Sequence, residues 1–188
     1  FNIIMITYLG EDGVAAITIV LYAQFLLTAV YLGFSIGVGP VLSYNYGEQN
    51  TLELKKIFKM SMIFITISGI CIFIFSILFS PNIVGIFVKK ESTVFSIAMN
   101  GFLLFSSSYL FIGFNIFISS MFTAFSNGKV SAIISFLRTF VFIILGIALL
   151  PKLLGVDGIW LAIPFAEFLT LMLSFSFLIK LKKMYFYI

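Results

Sequence analysis

A chain of 188 residues with 62% hydrophobic and only 10% charged side chains, and a mean hydropathy of +1.21, has almost nothing polar to present to water. A soluble globule, which carries roughly 25% charged residues, is excluded. With 14 Gly, 4 Pro and no heptad pattern of charges, collagen, disordered and coiled-coil chains are excluded as well, which leaves an integral membrane protein built from helices. There is no His and a single Cys, Cys71, so zinc sites, disulfide frameworks and His-based acid–base catalysis have no material to work with. The net charge of +4 comes from lysines in short blocks beside apolar runs, a pattern of membrane topology and not of nucleic-acid binding.

In chain order, Phe1-Asn2 opens an apolar stretch with neither Met nor a basic segment ahead of it. That is not a signal peptide; residues 1–9 read as the tail of a helix cut before its start. The charge-free runs 13–47, 60–88 and 92–128, and the apolar runs 130–150 and 159–179, each meet the roughly 20 residues that a helix needs to cross a bilayer. The expected elements are therefore the tail 1–9 and helices over about 14–43, 52–80, 93–126, 130–150 and 158–180. Asp12-Gly13 and Asp157-Gly158 supply N-cap carboxylates to the second and last of these. Asn50 with Glu53 three residues later reads as a capping-box-like start. Pro81 and Pro151 stand just past the ends of two helices, and Asn127-Gly128 closes the 93–126 helix. Pro40, after Gly33, Gly37 and Gly39, removes a backbone donor. It predicts either a kink at Gly39-Pro40, of the kind transporters place beside cavities, or a helix that simply ends there.

Orientation follows from the basic residues. A cytoplasmic C-terminus places Lys55, Lys56, Lys59, Lys129, Lys180, Lys182 and Lys183 inside, against Lys89, Lys90 and Lys152 outside, and the excess favours that arrangement in the cell membrane. Tyr44, Tyr46 and the Tyr residues of Lys182–Tyr187 suit an interfacial belt.

No Walker loop, dinucleotide fingerprint, Ser-His-Asp set or paired carboxylates on one helix face are present, so an enzyme or an ATP-driven pump is not expected. Polar residues do recur at helical spacing: Gln24, Thr28, Tyr31 and Ser35 on one face, and Ser108, Asn115, Ser119, Phe122 and Ser126 on another. An amide facing lipid is costly, so Gln24 and Asn115 face protein or water. Two readings stand. Gln24, Thr28, Tyr31, Asn115 and Ser119 line a substrate cavity between the two helices, suited to a flat organic cation, or they serve small-residue helix packing, as Gly33-x-x-x-Gly37 does. Arg138 and Glu167 are the ionisable residues well inside apolar runs. Each lies about 12 Å deep from opposite faces, leaving roughly 6 Å between them across a 30 Å core. They form a neutralising pair, Arg138 snorkels to the interface, or Glu167 relays a proton or cation.

Gly37-Val38-Gly39-Pro40-Val41-Leu42-Ser43-Tyr44-Asn45-Tyr46-Gly47 and the basic loop after it resemble the C-terminal half of multidrug and toxin extrusion (MATE) transporters. So do Gly10-Glu11-Asp12-Gly13-Val14-Ala15-Ala16, Asn115-Ile116 with Ser119 and Phe122-Thr123-Ala124, and Gly158-Ile159-Trp160 with Pro164-Phe165-Ala166-Glu167. The resemblance implies an all-α integral membrane fold: residues 1–188 are the six-helix C-terminal lobe, its first helix truncated, of a twelve-helix, two-lobed secondary transporter whose N-terminal lobe is outside this chain. It implies bacterial efflux of cationic, aromatic drugs in exchange for Na+ or H+, by alternating access in the bilayer, with no cofactor. Sodium-coupled members carry acidic residues in the seventh and tenth helices. Here the 93–126 helix, the tenth by this count, has none, so no cation-site or metal-binding residue is carried over. The competing expectations are a lipid-linked sugar flippase of a related superfamily, which needs a strongly cationic cavity, and a non-transporting fragment.

Overall fold

The computed structural model describes residues 1–185, apart from the side chain of Lys183. The expected interfacial residue Tyr187 lies outside the described residues. Among those described, the regular structure is helical throughout: α1 Asn2–Gly47, α2 Thr51–Leu78, α3 Ser80–Gly85, α4 Thr93–Ser106, α5 Tyr109–Ala124, α6 Gly128–Phe136, a π-turn at Leu137–Val141, α7 Phe142–Leu154 and α8 Val156–Tyr185. In lipid every backbone N–H and C=O must be paired within the protein, and apolar helices satisfy that requirement segment by segment. Four helices are long and apolar enough to cross a membrane, and α4 with α5, bent by 54° at their break, passes the same test as a pair and makes a fifth span if the two count as one. The chain is a multi-pass membrane protein.

The bend in that fifth span departs from the single 93–126 helix that hydropathy predicts. Ser106, Ser107 and Ser108 stand at the break; Ser106 Oγ donates to the Phe102 carbonyl at 2.7 Å and Ser107 Oγ to the Leu104 carbonyl at 2.9 Å. Serine hydroxyls that compete for backbone acceptors bend helices in this way. The 130–150 helix also differs, because it passes through the π-turn, runs over the buried Pro151 and ends only at Gly155, whose φ is +61°. Pro81 begins α3.

Gly39-Pro40 neither breaks nor ends α1, which keeps helical backbone angles through Pro40 to Gly47. Membrane helices tolerate an internal Pro where the freed carbonyl is accommodated locally. The one departure inside α1 is Gly10, with φ 65° and ψ −155°, a region open essentially to Gly alone. It divides the 2–9 segment from the long remainder. Gly10→Ala is therefore expected to destabilise the protein by about 1–3 kcal/mol, although a Cβ there meets nothing within 4 Å. A lowered unfolding midpoint in detergent checks this, and an unchanged one contradicts it.

Two turns repeat one device. Gln49 (φ 57°) and Ser126 (φ 59°) take the left-handed conformation, and the Asn that follows each caps the next helix. Asn50 Oδ1 accepts from the Glu53 N–H at 3.3 Å and Asn127 Oδ1 from the Val130 N–H at 3.2 Å. Asn127 thus opens α6 as well as closing the previous span. At the opposite end the two expected caps do different work. The Asp12 carboxylate accepts the Thr93 hydroxyl, and Asp157 Oδ1 accepts the Asn100 amide at 3.2 Å, so α4 is clasped to the ends of α1 and α8.

The core falls into two clusters. One, at the Gly10 end, gathers Ile17, Val20, Phe102, Phe105, Tyr109 and Trp160. The other, at the Asn50 and Asn127 end, gathers Leu54, Ile65, Phe117, Met121, Phe122 and Tyr185. The α5 helix runs through both and packs on α1, α2, α6 and α8.

Candidate functional site

Between the two clusters, α5, α8 and the π-turn meet at a buried polar node. Asn115, on α5, is fully buried. Its amide nitrogen donates to Glu167 Oε2 at 2.8 Å and to the Glu167 backbone carbonyl at 2.9 Å. Its amide oxygen accepts the Ser174 hydroxyl at 3.2 Å. The other carboxylate oxygen, Oε1, accepts from Arg138 Nε at 2.8 Å. Glu167 and Ser174 lie seven residues apart on α8, two turns along one face, so Asn115 is held from both ends. Arg138 sits in the π-turn, whose extra residue per turn resets the register of the helix and aims the guanidinium at α8. Each carboxylate oxygen thus has a donor, one of them the Arg138 guanidinium, as a carboxylate buried in a low-dielectric interior requires.

The node joins Asn115 to Arg138 and Glu167 and does not join it to Gln24, Thr28 or Tyr31. Tyr31 Oη donates to the Tyr109 carbonyl at 3.2 Å, and its ring lies over Gly113, where a Cβ would stand 2.6 Å from the ring. Gly113 and Asn115, two residues apart, point about 200° apart around α5. The α1 face and the Asn115 node are therefore on different sides of that helix, and the expected cavity wall shared by Gln24 and Asn115 is not formed within the lobe. Thr28 Oγ1 bonds back to the Gln24 carbonyl at 2.8 Å, while Gln24 itself is half-buried with no side-chain bond among the described residues. Ser119 bonds across to α6, to Ser131 Oγ at 3.0 Å and Ser135 Oγ at 2.9 Å.

Ser174, Ser131 and Ser135 were not singled out by spacing along α5, because they lie on its neighbours. The interval Ser131-x-x-x-Ser135-x-x-Arg138 does carry a helical signal of its own. Among the described residues no group of three His, Cys, Asp or Glu is placed to hold a metal ion. Two surface hollows lie elsewhere. One of about 490 Å³ is lined by Tyr46, Gln49 and Tyr185 among others, and one of about 600 Å³ by Ile6, Glu11 and Phe87 among others.

The MatE family profile matches residues 1–148. The probable multidrug resistance protein YoeA of Bacillus subtilis (strain 168) is 26% identical over 153 residues, which are 80% of this chain and 32% of that protein. Among solved structures, an outward-facing multidrug resistance MATE family transporter of the MOP superfamily superposes with a TM-score of 0.85 at 24% identity, covering 93% of this chain and 40% of that one. An inward-facing MATE transporter of the same superfamily gives 0.83 at 22% identity, covering 92% and 40%. The bent form of the Vibrio cholerae MATE transporter VcmN gives 0.84 at 16% identity, covering 92% and 39%. The fold is that of one lobe of these transporters, and the chain spans about a third of the curated relative's length. A profile match over most of the chain decides the assignment: this chain belongs to the MatE family, a family of transporters and not of enzymes.

Proposed function

We propose that residues 1–188 are the C-terminal lobe of a two-lobed secondary transporter that exports cationic, aromatic drugs in exchange for Na+ or H+. Its substrates are held between this lobe and an N-terminal partner lobe, in the cell membrane, with the C-terminus cytoplasmic. The observation that carries this reading is family membership joined to the superposition: one lobe fold matches transporters titled outward-facing and inward-facing almost equally well, at TM-scores of 0.85 and 0.83. A lobe that keeps its shape in both states suits rigid-body rocking about a site between two repeats. Gln24 supports the placement of the drug path. Its amide is half-buried in a span and lacks a side-chain partner among the described residues, so it requires water or the other lobe.

The complete transporter containing this lobe, expressed in efflux-deficient bacteria, is expected to raise resistance to cationic dyes and lower their retention. Gln24→Ala in that protein should reduce the resistance severalfold at unchanged membrane expression. Unchanged dye retention with the wild-type protein present in the membrane would remove the drug-export reading, and wild-type resistance in Gln24→Ala would remove Gln24 from the path.

A further inference from the structure

Four hydroxyls form a connected series between α5 and α6. Thr123 Oγ1 donates to Ser131 Oγ at 2.7 Å, Ser131 Oγ is 3.0 Å from Ser119 Oγ, and Ser119 Oγ is 2.9 Å from Ser135 Oγ. Most other serines and threonines of the spans bond to a carbonyl one turn back on their own helix, as Thr18, Thr66 and Thr170 do, which lets a hydroxyl face lipid at little cost. The α5–α6 set adds side-chain to side-chain bonds across two helices, although Thr123 also reaches the Ser119 carbonyl at 3.2 Å and Ser119 the Ser131 carbonyl at 3.3 Å; Thr123 and Ser135 are exposed on the lobe surface.

The series has a direction. It starts beside the Asn127-Gly128 turn and climbs α6: Ser131, Ser135 and Arg138 stand about 4.5, 10 and 15 Å above Gly128 at 1.5 Å per residue. Arg138 presents five N–H groups. Nε is taken by Glu167, the terminal nitrogens hold no other bond among the described residues, and the side chain keeps 21% of its surface exposed. A guanidinium with open donors at mid-membrane depth is not stable against hydrocarbon. The hydroxyls below it mark where its solvent comes from.

We propose that Thr123, Ser131, Ser119 and Ser135 line a water-filled cleft, which opens beside the Asn127-Gly128 turn and ends at the Arg138–Glu167 pair. The ligand of this site is water: the cleft hydrates the open face of the guanidinium and joins the buried carboxylate to one side of the membrane. This inference is independent of which substrate the transporter carries and of whether it exports drugs at all.

Thiol accessibility tests it in the complete transporter. Cys71→Ser removes the lone cysteine of this lobe; any cysteine in the remainder of the protein is replaced likewise. Single cysteines then go in at Ser131, Ser135, Lys129 as a marker of the turn, and Phe136 and Ile144 as references on apolar surface. The last two are 58% and 49% exposed on apolar surface. A thiolate, which forms where water reaches, attacks the sulfenyl sulfur of a membrane-impermeant anionic methanethiosulfonate, forming a mixed disulfide and expelling methanesulfinate. Ser131→Cys and Ser135→Cys are expected to react at least about tenfold faster than Phe136→Cys and Ile144→Cys, and from the same side as Lys129→Cys. Reaction at Ser135→Cys as slow as at Phe136→Cys, or from the side opposite Lys129→Cys, overturns the cleft. Should Ser135→Cys not yield monodisperse protein, Thr123→Cys decides by the same comparison.

Discussion

Replacing Glu167 by Leu is expected to destabilise the protein by about 3–5 kcal/mol, the range for removing one partner of a buried ion pair. The loss has two parts. Arg138 Nε loses its 2.8 Å acceptor, and Asn115 loses the carboxylate to which it donates at 2.8 Å. Removing the cation as well takes away the first part, so Arg138→Leu/Glu167→Leu should recover most of the stability lost by the single change, with Asn115 keeping the Glu167 backbone carbonyl and Ser174. Unfolding of the complete transporter in mixed micelles, followed through a denaturant titration, measures both variants. If the double variant falls as far as the single one, the two residues are not energetically paired.

The second large effect lies in the apolar core. Trp160, at the start of α8, is 1% exposed and lies flat over Gly101 of α4, where a Cβ would stand 2.4 Å from the indole ring. Lipid supplies no hydrophobic drive between helices, so such close packing is what holds them together. Trp160→Ala leaves a void over Gly101 and should cost about 3–5 kcal/mol. Gly101→Ala forces the ring off its seat and should cost about 1–3 kcal/mol. Because the two act on one contact, Gly101→Ala should be nearly neutral in the Trp160→Ala background. Additive losses in the same titration would place the cost elsewhere.

Helix content and span count were legible because hydropathy reports them directly: a run such as 159–179 has few alternatives in lipid. Breaks inside spans were not legible in that way. Pro40 is the strongest breaker in the chain, yet α1 passes through it helically. A bend of 54° falls at Ser106–Ser108, where the hydroxyls of Ser106 and Ser107 both compete for backbone acceptors. Gly10 gave no signal beyond being a Gly, because positive φ is a property of the fold around it. The Arg138–Glu167 contact follows from depth, since each side chain is about equally far from its own interface. Asn115 and Gln24 shared a polarity but not a side: periodicity places residues on a face and leaves open which neighbour that face meets. The partners Ser174, Ser131 and Ser135 become visible only once α6 and α8 are packed on α5.

As proposed, this lobe is half of a cation-coupled drug exporter. Purified complete transporter in proteoliposomes, given an imposed Na+ or H+ gradient and a fluorescent cationic dye, tests that directly. Gradient-driven dye movement, abolished when the gradient is collapsed by an ionophore, is the expected result. Dye movement no faster than in protein-free vesicles under either gradient, from protein that is folded and inserted, would contradict it.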